Sequence, residues 1–132
     1  MQPKTPATDT PLSDETTTLA TLRDRVRGFS DDREWGRYHS PRNLAMALSV
    51  EASELLELFL WASDDGPQPP VPDRGPKVAD EAADVLHCLL SLCDSMDIDL
   101  AAAFEDKMRR NAIKYPIEQS RGRLEKSDEL GL

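Results

Sequence analysis

Two short segments of the chain place acidic side chains inside the apolar faces of helices. They read EASELL at 51–56 and EAADVL at 81–86, and in each an acid is followed by a second acid three residues later. Residues three and four apart lie on one face of a helix, so these acids point the same way as the neighbouring apolar side chains. Any fold of this chain must therefore accommodate carboxylates that face a core.

Apolar residues recur at intervals of three and four in four stretches, and no stretch alternates as a β-strand would. The helices predicted from this spacing are Leu19 to about Asp32, Pro41 to about Trp61, Val78 to about Met96, and Leu100 to about Tyr115. Ser40 is the expected N-cap of the second helix, and Asp97 or Asp99 that of the fourth. The pattern predicts an all-α, antiparallel four-helix bundle.

The length of 132 residues suits one domain. We expect a disordered N-terminal tail at 1–16, a helical domain at 17–116 and a polar C-terminal tail at 117–132, because the ends are poor in apolar residues. The segment 62–76 contains five prolines and two glycines and is predicted to be an exposed loop. A bundle of this size buries little surface, and the alanine-rich face at 101–103 lacks an aromatic cover, so we expect oligomerisation to complete it.

The net charge of −9 disfavours binding to a nucleic-acid polymer, and a polyanionic ligand would need local cations or metal ions. Cys88 and Cys93 are five residues apart in a predicted helix, a spacing that does not allow an ordinary disulfide. They are interpreted as buried thiols. Since the sequence has neither an apolar signal segment nor a membrane span, we expect a cytoplasmic protein.

The acids of the two similar segments predict a metal site. If the second and third helices pack side by side, Glu51 and Glu54 face Glu81 and Asp84, and four ionised carboxylates in a partly dry space would repel one another. Oxygen ligands without histidine or cysteine favour Mg²⁺, with Mn²⁺ as a substitute. The alternative is that each acid pair is a solvated helix face, which is the usual role of an isolated pair.

Two further groups are candidates for ligand binding. Lys107, Arg110, Asn111 and Lys114 share one face of the fourth helix and are followed by Tyr115; they could meet phosphates, or the basic residues could simply offset the helix dipole. Trp35, His39 and Trp61 flank the second helix and could stack on a nucleobase, although packing is the commoner role of tryptophan. His87 is interpreted as a neutral histidine of the bundle.

The chain also resembles a known family. The motifs are W-x3-H-x-PRN at 35–43, E-x2-E-x2-E-x3-W at 51–61, DE-x2-DVL at 80–86 and K-x3-N-x2-KYP at 107–116. Together they resemble the MazG-like all-α nucleoside triphosphate pyrophosphatases, and among these most the dCTP pyrophosphatases. The longer proline-rich loop at 62–76 departs from the family pattern and bears on base preference.

The resemblance implies a homotetramer built as a dimer of dimers, or a homodimer, that uses Mg²⁺ to split a nucleoside triphosphate into the monophosphate and pyrophosphate. It implies that Glu51, Glu54, Glu81 and Asp84 bind metal, that Lys107, Asn111, Lys114 and Tyr115 meet the phosphates or sugar, and that Trp35, His39 and Trp61 frame the base. Glu54 is the candidate general base. The rival interpretations are a preference for dUTP or a damaged base, and a non-catalytic interaction module whose acids pair with Lys107, Arg109 or Arg110 of a partner.

Overall fold

The computed structural model describes residues 11–60 and 71–131, and every regular element in these ranges is helical. The elements are α1 (Leu19–Asp31), a 3-10 helix (Trp35–Tyr38), α2 (Pro41–Glu57), α3 (Val71–Ser95), α4 (Leu100–Lys114) and α5 (Ile117–Ser120). The all-α prediction is confirmed. Most of the predicted N-terminal tail, part of the predicted loop at 62–76, and Trp61 lie outside the described residues.

Polar caps define the starts of α2 and α4. The Ser40 hydroxyl accepts a hydrogen bond of 3.2 Å from the N–H of Asn43, and Asp99 Oδ1 accepts one of 3.0 Å from the N–H of Ala102. Both bonds satisfy a backbone donor that has no partner within its helix. The cap predicted at Ser40 is confirmed, and of the two aspartates considered for α4 the cap is Asp99.

Two helix boundaries differ from the predicted ones. α2 ends at Glu57, because the N–H groups of Phe59 and Leu60 bond to carbonyls three residues back and form tighter turns. α3 begins at Val71, which makes the last six residues of the segment predicted as a loop helical. Proline in a first turn lacks only an N–H that would have no helical partner. Pro76, further inside, removes one donor from a helix of 25 residues.

α3 is the central helix, and it packs against both α2 and α1. α2 and α3 run antiparallel, since Leu44 lies near Ser91 while Glu51 lies near Asp84. Leu44, Leu90 and Cys93 are the buried apolar residues of this unit. The helices α1 to α3 therefore form a small core whose α2–α3 seam carries the acidic segments.

α4 stands apart from this core. No described helix packs against α4 to the extent that α2 packs against α3. Its apolar side chains are correspondingly open, with Phe104 65% and Met108 50% exposed. The described residues of one chain therefore leave the apolar face of α4 largely uncovered.

Cys88 and Cys93 are free thiols, of which Cys93 is buried and Cys88 is partly exposed. Burial raises the pKa of both thiols above the ordinary value. Among the described helices, none is both long and apolar enough to cross a lipid bilayer.

Candidate metal centre and adjoining cavity

Three carboxylates converge at the seam between α2 and α3. Glu51, Glu81 and Asp84 each offer one oxygen, and these oxygens all lie within 4.8 Å of one another. Glu51 and Glu81 are partly buried, whereas Asp84 is exposed. The antiparallel packing of the two helices brings together three of the four acids that the helical spacing predicts to face one another.

The cluster is electrostatically unfavourable without a cation. Burial raises the pKa of Glu51 above that of an ordinary glutamate, and the charges of Glu54 and Asp84 raise it further. Burial followed by the same two charges also raises the pKa of Glu81. Glu54 is exposed and raises the pKa of both groups through its charge and a side-chain hydrogen bond, but it is not one of the three residues whose oxygens converge within 4.8 Å.

The donor set fits a hard divalent cation. Oε2 of Glu51 and Oε2 of Glu81 are buried, and neither has a hydrogen-bond partner among the described residues. Buried polar atoms normally have partners, and a cation would supply one for both oxygens. Since all the donors are carboxylate oxygens, Mg²⁺ and Mn²⁺ suit the site better than zinc.

A cavity of about 640 Å³ adjoins the acidic cluster. Glu51 and Asp84 form part of its wall, and Trp35 and His39 form another part. This volume lies within the range of small-molecule binding pockets. The cavity thus joins two groups that the sequence suggested separately, the acids and the aromatic residues that precede α2.

The loop between α1 and α2 presents these aromatic residues. Asn43 Nδ2–H donates a hydrogen bond of 2.9 Å to the carbonyl of Tyr38, which ties the 3-10 helix to the first turn of α2. The rings of Trp35 and His39 meet edge to face at 6.3 Å. Glu34, with φ of 53°, makes the left-handed bend that begins the 3-10 helix.

Other residues of the cavity wall were not predicted as site residues, among them Phe29, His87 and Cys88. The ring of Phe29 contacts Trp35 at 5.7 Å and His87 at 5.8 Å, both edge to face. His87 and Cys88 follow Asp84 by three and four residues, so helical spacing from that acid would have indicated them. Phe29 follows Val26 by three residues in the apolar stripe of α1, and this spacing indicates only an ordinary packing residue.

The residues predicted to meet the phosphates or sugar do not line this cavity in their own chain. They are Lys107, Asn111, Lys114 and Tyr115. Lys114 Nζ instead lies 5.6 Å from the ring centroid of Tyr115. Arg110 pairs with Asp106 of its own helix at 3.0 Å, and Arg109 pairs with Glu105 at 3.3 Å. Glu51 and Asp84 therefore share one cavity with Trp35 and His39, whereas the cationic face of α4 lies outside this cavity.

Fold and site together define an all-α protein in which a carboxylate cluster suited to a divalent cation borders an aromatic cavity of ligand size. The chain belongs to the MazG-like family, whose model matches residues 46–130.

Individual proteins similar to this chain are known from animals and an archaeon. dCTP pyrophosphatase 1 of Rattus norvegicus is 40% identical over 107 residues, which cover 80% of this chain and 63% of the rat protein. The Homo sapiens protein of the same name is 37% identical over 115 residues, which cover 86% of this chain and 68% of the human one. The matched stretch thus spans less than two thirds of the rat relative.

A solved structure has the same fold. The crystal structure of a pyrophosphatase from Archaeoglobus fulgidus superposes with a TM-score of 0.67 at 37% identity, and the match covers 80% of this chain and 99% of the archaeal one.

Proposed function

We propose that this chain hydrolyses (deoxy)nucleoside triphosphates to the monophosphate and pyrophosphate in a Mg²⁺-dependent reaction, with dCTP or modified cytidine nucleotides as its preferred substrates. The observation that carries the proposal is the carboxylate cluster at the edge of the aromatic cavity. A nucleoside triphosphate has phosphates that need a cation and a base that needs an aromatic wall, and the two features adjoin here. The similar proteins named dCTP pyrophosphatase 1 support this choice of substrate.

Glu51, Glu81 and Asp84 would hold the metal, with Glu54 as the fourth carboxylate. When bound, Mg²⁺ offsets the negative charge of the triphosphate and makes water a stronger acid. The orphaned oxygens of Glu51 and Glu81 support this assignment, since a cation relieves both their burial and their mutual repulsion. Mn²⁺ is a suitable substitute because it also prefers oxygen donors.

Glu54 is the proposed general base. It is exposed and lies beside the three converging carboxylates, so its own carboxylate remains available to accept a proton from the attacking water. The water oxygen then bonds to phosphorus as the linkage between the α- and β-phosphates breaks, and pyrophosphate leaves. Undiminished turnover of Glu54→Gln at saturating Mg²⁺ would remove this role.

Substrate contacts are proposed on both sides of the site. Trp35, His39 and Trp61 would frame the base, and Lys107, Asn111, Lys114 and Tyr115 would meet the phosphates or sugar. Because α4 does not line the cavity of its own chain, we propose that these last four residues reach the site of a second copy. The uncovered apolar face of α4 supports a homodimer or a homotetramer built as a dimer of dimers.

The role that follows is removal of unwanted nucleotides from the precursor pool. The test is pyrophosphate release from the four ribonucleoside and four deoxyribonucleoside triphosphates, each with and without Mg²⁺. We expect the highest kcat/KM with dCTP and no release after chelation of the metal. A higher value with dUTP or with a damaged nucleotide would keep the chemistry and change the substrate.

The rival proposal, a non-catalytic interaction module, predicts no release from any nucleotide. It also predicts no thermal stabilisation by Mg²⁺ plus nucleotide, whereas an enzyme site gains native-state stability from its ligands. In the described chain Arg109 and Arg110 already pair with acids of their own helix. They are therefore less available to pair with the acids of a partner.

A further inference from the structure

The Ser30 hydroxyl differs from the other helical serine hydroxyls for which a bond is seen. The hydroxyls of Ser53, Ser91 and Ser95 each donate to a carbonyl of the preceding turn, as serine in a helix commonly does. Ser30, the penultimate residue of α1, is only 8% exposed. Its Oγ lies 3.1 Å from Nδ1 of His39, outside its own helix.

The His39 ring borders two cavities. One is the large cavity that also contains Glu51 and Asp84, and the other is a smaller space of about 180 Å³ that Ser30 lines. Nδ1 is engaged by Ser30, whereas Nε2 has no hydrogen bond to a described residue. Nδ1 of His39 therefore bonds to the protein, and Nε2 remains available to bond to a ligand.

The burial of Ser30 decides the direction of the hydrogen bond. If Nδ1 carried the ring proton, the buried hydroxyl proton would have no acceptor among the described residues, and an unsatisfied buried donor is costly. If the hydroxyl donates to Nδ1, its proton is satisfied and the neutral ring carries its own proton on Nε2. His39 then presents a donor to whatever occupies the large cavity.

We propose that Ser30 is a positioning residue that holds His39 as the Nε2–H tautomer, so that the ring donates a hydrogen bond to an acceptor atom of the bound nucleotide. The nucleotide part of this inference rests on the proposed function. The hydrogen bond between Ser30 and His39 belongs to the chain itself and is testable without a ligand.

The direct test is ¹⁵N NMR of the imidazole rings of the full chain at about pH 8, where a histidine of ordinary pKa is neutral. The chain has two histidines, and His87→Gln identifies the signals of His39. We expect a protonated Nε2 and a hydrogen-bonded, unprotonated Nδ1. In Ser30→Ala the Nδ1 signal should move to that of a free ring nitrogen, and Ser30→Thr should restore it.

The matched control is Ser95→Ala, which removes a hydroxyl from the same small cavity but leaves the Ser30 bond intact. Its His39 signals should equal those of the wild type. A wild-type spectrum with the proton on Nδ1, or an unchanged Nδ1 signal in Ser30→Ala, would overturn the inference.

Kinetics tests the consequence for the ligand. We expect Ser30→Ala to raise KM for dCTP about fivefold, because weakening the hydrogen bond from His39 to the nucleotide should cost about 1 kcal/mol. The value of kcat should change little, because the ground state and the transition state lose this hydrogen bond equally. Ser30→Thr should return KM to the wild-type value, and an unchanged KM in Ser30→Ala would contradict the inference. Absence of hydrolysis by the wild type would instead refute the proposed function. The NMR signal of His39 Nδ1 would still test the hydrogen bond between Ser30 and His39, because that measurement needs no ligand.

Discussion

At the scale of single residues, the central feature is that Glu51 and Glu81 carry charge where α2 and α3 bury apolar surface. Burial and neighbouring acids raise the pKa of both, so ionisation destabilises the fold at neutral pH unless a cation is bound. Natural sequences keep such local conflicts mainly at functional sites.

Replacing Glu51 or Glu81 by glutamine should separate stability from activity. Each variant removes one charge from the cluster, so the metal-free chain should melt at a higher temperature than the wild type. The same variants should lose the thermal stabilisation by Mg²⁺ and reduce kcat/KM about a hundredfold or more, since even residues behind metal ligands contribute on that scale. The matched control is Glu105→Gln on α4, which should leave both measurements unchanged.

The cluster also predicts the pH dependence of the metal-free chain. The folded-state pKa values of Glu51 and Glu81 lie above the ordinary value of 4.5, so the folded state holds more protons than the unfolded state between the two values. Their contribution to stability is complete below pH 4.5 and is lost as the pH rises through the raised pKa. We therefore expect the free energy of unfolding in chelator to fall as the pH rises above 4.5 through the raised pKa values of these two groups.

Two controls test whether the carboxylate cluster causes this pH dependence of the free energy of unfolding. The double variant Glu51→Gln/Glu81→Gln should flatten it, and saturating Mg²⁺ should do the same in the wild type. Asp94 does not interfere, because its hydrogen bond with Arg27 lowers its pKa below 3.8 and its contribution is lost only at more acidic pH. A metal-free wild type that gains stability relative to the double variant as the pH rises above 4.5 would contradict the prediction.

At the scale of elements, the start of α2 controls the geometry of the site. The Ser40 cap fixes where the helix begins, and the bond from Asn43 to Tyr38 ties the aromatic loop to its first turn. Glu51 lies three turns further along the same helix. A change at the cap therefore acts on both the aromatic wall and the acids.

Ser40→Ala should lower the free energy of unfolding by about 1 kcal/mol, the usual cost of losing a helix cap. Urea unfolding followed by circular dichroism measures it. Ser40→Asp keeps an acceptor at the same position and should remain close to the wild type. Equal stability of Ser40→Ala and wild type would show that the cap bond contributes little to α2.

At the scale of the whole molecule, the described residues of one chain do not account for the two faces of α4. Its apolar face is open, and its cationic face lies away from the acidic cavity. If a second copy covers α4, Phe104→Glu with Met108→Glu should convert an oligomer at micromolar concentration into a monomer, measured by light scattering. The control Leu124→Glu changes a fully exposed leucine outside α4 and should leave the mass unchanged.

Mixing two inactive variants tests whether α4 completes the site of its partner. A Glu81→Gln chain lacks a metal ligand, and a Lys107→Ala/Lys114→Ala chain lacks the cations. If each site combines acids from one subunit with cations from the other, mixed dimers restore about a quarter of the wild-type sites. If both groups act within one chain, mixing restores none.

The features that the sequence determined by itself are local ones. The all-α class, the Ser40 cap and the shared face of Glu51 with the other acids follow from spacings of three and four residues and from capping preferences. These depend on hydrogen bonds within a turn or two, so neighbouring residues suffice to predict them. Helix ends were less predictable, because a proline near a helix start, as at Pro72 of α3, is compatible with either a loop or a first turn.

Tertiary structure alone decided what surrounds the acids. Phe29, His87 and the bond between Ser30 and His39 join residues from α1, α3 and the loop before α2, and no periodicity along the chain encodes that meeting. The separation of α4 from the cavity is equally non-local. Packing sets these distances because it depends on how whole helix faces fit together, which no short stretch of the chain contains.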